Sequence, residues 1–385
     1  MKHILIFAGY FYPHLGGYEN NVRELASRLS KLGYSVEIIT DNTESTISEE
    51  ILDGFTVYRL PCWNILGGTY PIILPYLQSF RIIRRIWQKQ YDVIITNTRF
   101  FLTSLSGAIL SRLKNIPLIH IERGSHHSIT NRRLVNWLSK LYDHTLGSWI
   151  VKQAQLNIGV SNAAADFVRH LGASRIQILP NGIDTTIYKR KETDMRQVLN
   201  IGVKDPLLVY VGRVIYAKGV QDFICVLPAL KKRYPKIKLL VAGKGNYQSI
   251  LQKQAERLEC QNSVKFLGEL SRKQIVDLLS TADIFVNPSY SEGLPTSVME
   301  AASVGLSIIA SDAGGTRDII ADGNTGLLFS IGNTDQLEVK LDLLLSDLKL
   351  RNKLGSRAST FIKEYYDWNT IIYRLQKQIE VLNAH

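Results

Sequence analysis

Short apolar runs alternate with helical periodicity along almost the whole chain. In the first half the runs are KHILIFAG, YSVEIIT, YDVIITN, PLIHIE and LNIGVS; in the second they are LLVYVGR, KLLVAG, VKFLG, DIFVNPS and LSIIASD. Near-continuous apolar strands separated by helices predict parallel sheets covered on both faces. The first helix shows its period clearly, with Val22, Leu25, Ala26, Leu29 and Leu32 on one face and Gly33 placed to end it. The polar, turn-rich stretch PNGIDTTIYKRKETD, residues 180–194, interrupts the series. It predicts an α/β chain of two doubly wound domains, residues 1–185 and 186–360, with a last helix in 361–385 packing back toward the first domain. Ligands of such sheets sit beyond the carboxyl ends of the strands, so a cleft between the domains is the expected active site.

Composition narrows the compartment. With 45% hydrophobic residues among 385, the chain can bury a sizeable core. Its three cysteines, Cys62, Cys225 and Cys260, are far apart, which suits a reducing compartment and argues against a disulfide framework or a cysteine zinc site. The opening MKHILIFAGYFYPHLGG reads as a first strand running into a Gly- and Pro-containing loop rather than a signal peptide. No apolar run reaches the roughly 18 to 20 residues of a membrane span. A cytoplasmic chain, or one peripheral on the cytoplasmic membrane face, is expected.

The net charge of +12 is unevenly placed: residues 76–154 hold 12 Lys or Arg against Asp92, Glu122 and Asp143, so 12 minus 3 gives +9. Within that stretch Leu77, Phe80, Ile83 and Trp87 recur at helical spacing beside Arg81, Arg84 and Arg85, and Leu134, Trp137, Leu138 and Leu141 recur beside Arg132, Arg133 and Lys140. Apolar faces with tryptophan and flanking basic residues suit a helix lying on anionic lipid; the same stripes would also serve to pack on the first sheet. No nucleic-acid motif accompanies the patch, so nucleic acid is not an expected partner.

Chemistry gathers in the second half. SEGLPTSVMEA, residues 291–301, carries Glu292 and Glu300 on either side of a bend that ends in Pro295. Proline suits the first helical position, so a helix is expected from Pro295, its free N–H groups offering a seat for phosphate. Gly212 and Arg213 end an earlier strand and Lys218 follows closely. A guanidinium fork and a mobile ammonium suit a diphosphate, although each residue alone would pass as a surface charge. In the first half, PHLGGYE places Gly16 and Gly17 where a loop meets a helix, a point at which glycine permits backbone angles and close approach.

GRVIYAKG, VAGKG, ADIFVNPSYSEGLPTSVMEAASVGLSIIASDAGGTRDII and PNGID together resemble the retaining nucleotide-sugar glycosyltransferases of the GT-B fold, family GT4, a likeness that runs from PHLGGYE to YYDWNTI. The resemblance implies two Rossmann-like domains facing across a cleft, a UDP- or GDP-sugar donor, and a glycan or polyprenyl-lipid-linked acceptor. By the same resemblance Arg213 and Lys218 hold the donor diphosphate, Glu292 contacts the sugar hydroxyls, and Gly243, Gly293, Leu294, Pro295 and Thr296 line the donor. Glu300 meets the ribose, where a carboxylate accepts from two vicinal hydroxyls, and the Gly16–Gly17 loop lies against the donor phosphate and the arriving acceptor. Many relatives carry histidine where Arg123 aligns; His126 or His120 would be the alternative imidazole. No Asp-x-Asp metal motif is persuasive, so neither metal nor cofactor is expected, and attack from the departing phosphate's own face is favoured. An epimerase or phosphorylase on the same fold, or a nucleotide-sugar-binding protein without turnover, would reuse these residues.

Overall fold

The computed structural model describes residues 2–14, 16–44, 47–65, 70–74, 76–127, 133–193 and 195–382. Arg132 of the basic region and Asp194 of the turn-rich stretch lie outside them. The chain forms two compact units: the first takes in the described residues up to Gly182 and those from Asn369 onward, the second Ile183–Trp368.

In the first unit the described strands are β1 (His3–Ala8), β2 (Ser35–Asn42), β3 (Glu49–Leu52), β4 (Phe55–Ile65), β5 (Tyr70–Ile73), β6 (Val93–Asn97), β7 (Leu118–Glu122), β8 (Leu156–Gly159) and β9 (Ile176–Ile178). They run in the order β3-β4-β2-β1-β6-β7-β8-β9, with β5 on β4. All pairings are parallel except β3 and β5 with β4. The order reverses beside β1, whose neighbours are β2 and β6. β6 and β7 are buried along their whole length, as strands covered on both faces must be.

The helices are α1 (Gly17–Lys31), α2 (Leu77–Gln88), α3 (Leu102–Lys114), α4 (Arg133–Tyr142), α5 (Ser148–Gln153) and α6 (Asn162–His170). α1 buries Val22, Leu25, Ala26 and Leu29. Leu32 departs from that face: it is the C-cap, beyond the last turn, and stands exposed where Gly33 at φ +88° turns the chain into β2. The β3–β4 hairpin was not among the expected strands. Its two-residue turn is Asp53–Gly54, both at positive φ, the Asp-Gly pattern that matches the twist of a hairpin. The final helix, Trp368–Leu382, joins this unit, with Gln177 donating to Gln378 at 2.8 Å and Arg374 to the Ile178 carbonyl at 3.0 Å.

The second unit is built on β10 (Leu207–Val211), β11 (Lys238–Ala242), β12 (Val264–Gly268), β13 (Ile284–Asn287), β14 (Ser307–Ser311) and β15 (Leu327–Phe329), all parallel, in the order β12-β11-β10-β13-β14-β15. Tyr210, Phe223, Leu227, Val241 and Phe329 lie in its core. The strand order reverses between β10 and β13. That is where an open α/β sheet leaves a crevice at its carboxyl edge.

Candidate functional site

Three loops leave the carboxyl ends of β10, β11 and β13, and glycines let their main chains touch. Gly219 has φ +67°, and a Cβ added there would lie 1.9 Å from the Pro288 carbonyl oxygen; one added to Gly243, at φ +132°, would lie 1.9 Å from that of Gly212. No side chain fits at either position. Val214 N–H donates to the Lys244 carbonyl at 2.8 Å and Tyr290 N–H to that of Ala217 at 2.9 Å, which locks the loops in register.

Lys218 stands on the first of these loops and Glu292 on the third. Their Nζ and Oε1 are 2.7 Å apart. The same carboxylate oxygen accepts from the Ser289 hydroxyl at 2.6 Å and from Asn287 Nδ2 at 3.4 Å. Asn287, Ser289 and Glu292 are all buried, and a buried carboxylate requires partners of this kind. Ser289 and Asn287 were not anticipated from the sequence. Arg213 is placed differently. Its carbonyl accepts from the Tyr210 hydroxyl at 2.9 Å, which shapes the turn, while its exposed guanidinium takes no hydrogen bond or ion pair among the described residues.

The helix behind Glu292 runs Thr296–Ser303. Pro295 is its N-cap, not its first residue: its ψ of 104° is extended, and its carbonyl accepts from the N–H groups of Val298 and Met299 at 3.1 and 3.3 Å. The N–H groups of Thr296 and Ser297 have no acceptor among the described residues. Gly293 and Leu294 form the bend before it, and Gly315 N–H donates to the Glu292 carbonyl at 3.3 Å. Farther along, Glu300 Oε1 accepts from the Tyr188 hydroxyl at 2.8 Å. Burial pushes the Glu300 carboxyl up to about 7, against the opposing pull of the Tyr188 hydrogen bond and the Arg272 charge.

The first unit holds the remaining predicted residues. Gly16 is the N-cap of α1 in ordinary extended conformation, φ −175°, so backbone angle does not demand glycine there. An added Cβ would lie 2.4 Å from Glu19 Oε2, so a side chain there would displace the Glu19 carboxylate from its 2.8 Å contact with His14 Nδ1. Gly17 begins the helix. Arg123, after β7, reaches α1, donating to Asn21 Oδ1 at 3.0 Å and lying 5.4 Å over the Tyr18 ring. It also donates to Asn97 at 3.2 Å and to Asn181. Its Nε is buried without a hydrogen-bond partner, and burial pulls the guanidinium down to about 10.

Beneath Arg123 lies a charged network that the sequence did not announce. Glu122, fully buried, accepts from the backbone N–H of Arg123 at 2.9 Å and of Gly124 at 2.7 Å and pairs with Arg99 at 3.0 Å. Burial alone would raise its pKa; the Arg99 charge and the His120 and Gly124 hydrogen bonds outweigh it and hold the carboxyl well below the usual range. Arg99 also grips Asp143 through Nε at 2.8 Å and Nη2 at 3.0 Å. His120 is buried between Thr96 and Glu122, a structural position. His126 is half-buried, and burial lowers its pKa.

The second unit is thus an open parallel α/β sheet whose reversal point carries an ammonium, a buried carboxylate and a helix end with free N–H groups, at the carboxyl edge where such sheets leave a crevice. Residues 191–361 match the family described as Glycosyl transferases group 1, and residues 15–187 match Glycosyltransferase Family 4. The chain belongs to the GT-B glycosyltransferases of this type. It is 29% identical over 98% of its length to an uncharacterized glycosyltransferase of Methanocaldococcus jannaschii, 98% of which is covered. It is 25% identical over 96% of its length to the phosphatidylinositol N-acetylglucosaminyltransferase gpi3 subunit of Schizosaccharomyces pombe, 78% of which is covered. Among solved structures, Anabaena HepE in complex with UDP and glucose superposes with a TM-score of 0.80 at 22% identity, covering 99% of this chain and 100% of that one.

Proposed function

We propose that the chain is a retaining, metal-independent transferase that moves a sugar from a UDP- or GDP-sugar to a glycan or polyprenyl-lipid-linked acceptor at the cytoplasmic face of an anionic membrane, in cell-surface polysaccharide or glycolipid synthesis. The observation that carries this reading is the Lys218–Glu292 pair at 2.7 Å, set at the sheet reversal beside the free N–H groups of Thr296 and Ser297. A diphosphate arriving there meets an ammonium and a helix end, and Arg213 has a guanidinium free to close on it. The carboxylate of Glu292 suits sugar hydroxyls, and that of Glu300 suits a ribose.

In the reaction the bond from the anomeric carbon to the β-phosphate oxygen breaks and a bond to the acceptor oxygen forms on the same face. The acceptor's proton passes to the departing phosphate oxygen. Arg213 and Lys218 stabilise the charge that grows on the diphosphate, a role in which one preorganised partner contributes about 3 kcal/mol. HepE, seen with UDP and glucose, makes UDP the first base to test.

The acceptor side rests on a second observation. The stripes on α2 and α4 do not pack on the sheet: Leu77, Phe80, Ile83, Leu134, Leu138 and Leu141 are exposed, and Trp87 and Trp137 are 48% and 59% exposed. On α2 it is Ser79, Ile82 and Ile86 that face inward. Arg81, Arg84, Arg133 and Lys140 stand exposed beside the apolar stripes. The basic patch is smaller than the sequence count, because Arg99 is internally paired and Arg85 and Lys89 pair with Glu49 and Glu37. Such faces suit an interfacial helix, each basic residue contributing about 1 kcal/mol on anionic lipid. Among the described residues no helix is long and apolar enough to cross a membrane.

Thermal melting with UDP, GDP and their sugar conjugates, without metal and with magnesium, tests the donor. A ligand at about a hundred times its Kd adds about 2.7 kcal/mol to the folded state. The reading requires a shift with one base that magnesium leaves unchanged, and an anomeric configuration retained in the product by NMR. No shift with any nucleotide, a shift only with magnesium, or an inverted product refutes it.

A further inference from the structure

Three histidines of the first unit that the proposed reaction does not use stand together. His127 follows the loop after β7, His144 lies in the segment Asp143–Gly147, wound as a π-helix between α4 and α5, and His170 ends α6. One ring nitrogen of each lies within 4.8 Å of the others. The ring of His144 is centred 5.3 Å from that of His127 and 5.4 Å from that of His170.

The surroundings match what a metal-binding imidazole needs. His127 Nδ1 is 2.7 Å from Asp143 Oδ2, and Asp143 is itself buried and clamped by Arg99. A carboxylate on one ring nitrogen fixes the tautomer and ring orientation of a metal-bound histidine and leaves the other nitrogen as the ligand. With Nδ1 taken, the nitrogen left on His127 is Nε2. The π-helical turn sets Asp143 inward and His144 outward at consecutive positions, and such turns are frequent at functional sites. The positive charge of Arg99 is already met by Glu122 and Asp143.

We propose that His127, His144 and His170 form a binding site for a divalent late transition ion, zinc first, with a fourth position open to water. Zn–N bonds of about 2.0–2.1 Å in a tetrahedron put ligand nitrogens about 3.3 Å apart. Closing that gap falls to the exposed His144 and His170 side chains, since His127 is held by Asp143. A shell of imidazoles without carboxylate selects zinc, copper or nickel over magnesium or calcium. The site is therefore independent of the donor chemistry above, and either can fail without the other. A bound ion ties together the loop that carries Arg123 and His126, the π-turn and the end of α6.

The test uses the full chain without a histidine tag, stripped by chelator and titrated with zinc chloride by calorimetry, with cobalt(II) absorption as a report on coordination. Uptake of one ion per chain is expected, with the visible bands of four-coordinate cobalt. His144→Ala/His170→Ala removes two exposed ligands, so it abolishes uptake while leaving the melting temperature of the metal-free chain unchanged. Asp143→Asn weakens binding about 10- to 100-fold if it folds. A wild-type chain that takes up no zinc at about 100 µM, far above the Kd of a built imidazole site, overturns the proposal, as does equal uptake by the double variant.

Discussion

Lys218 Nζ lies 2.7 Å from Glu292 Oε1, and Ser289 holds the same oxygen from the other side at 2.6 Å. The ammonium thus compensates a buried carboxylate and stands at the sheet reversal in one position. Lys218→Met should lower kcat/KM on the order of a hundredfold. It should also lower the melting temperature, because Glu292 keeps its burial and loses its cation, a cost of about 1–3 kcal/mol. Lys218→Met/Glu292→Gln should regain the stability and not the activity. Melting curves beside steady-state rates check both halves.

Arg213 gives the opposite signature. Its guanidinium is exposed and makes no hydrogen bond or ion pair among the described residues, so Arg213→Ala should leave stability within about 0.5 kcal/mol. If it closes on the departing diphosphate, kcat falls on the order of a hundredfold. Full turnover in the variant would remove Arg213 from the mechanism.

Glu300 makes stability depend on pH. Its carboxyl titrates at about 7 in the folded chain, against about 4.3 unfolded, so the native state binds the proton more tightly between those values. The stability it contributes is complete below about pH 4.3 and is lost as pH rises through about 7. Glu300→Gln keeps a neutral group that still accepts from Tyr188. Its melting temperature relative to wild type should therefore climb between about pH 5 and pH 8, by the equivalent of 1–3 kcal/mol. A constant difference across that range would show that Glu300 is not held protonated.

The outward faces of α2 and α4 should bind lipid. Phe80→Ser/Trp137→Ser changes two side chains that are each 59% exposed, so the melting temperature should fall little while sedimentation with anionic vesicles drops at least about tenfold. Raising the salt should weaken wild-type binding, as charges facing an anionic surface are screened within a Debye length. Equal binding by the variant would assign the stripes to another partner.

The strands flanking both sheet reversals were legible because strands covered on both faces write long apolar runs, as in LLVYVGR and YDVIITN. β3, β4 and β5 were not: β3 and β5 are four-residue edge strands, and β4, although 11 residues long, mixes polar and apolar residues, with Arg59 in its middle and a proline and a cysteine after it; yet Asp53–Gly54 spelled out the hairpin turn. At the site, Lys218, Glu292, Glu300 and the helix end stood out because charges and proline near strand ends are few. Ser289, Tyr188 and the Asn21–Asn97–Asn181 cradle of Arg123 did not, since common polar residues acquire meaning only when distant segments meet. The π-turn at Asp143 was invisible for a related reason: its residues fit an ordinary helix, and Arg99, 44 positions away, is what holds it.

The backbone contacts at Gly219 and Gly243 divide the region proposed for the donor into two kinds of position. Where carbonyl meets glycine there is no room for drift, and a single added methyl would push one loop off its neighbour. Around that frame Arg213 projects into solvent and the fold does not depend on it, whereas Lys218, Ser289 and Glu292 are tied together in one hydrogen-bonded network. A library that randomises exposed positions such as Arg213 while leaving Gly219, Gly243 and the Lys218–Glu292–Ser289 network untouched would explore new ligands at little cost to folding. One that includes the two glycines would mostly sample chains whose loops no longer meet.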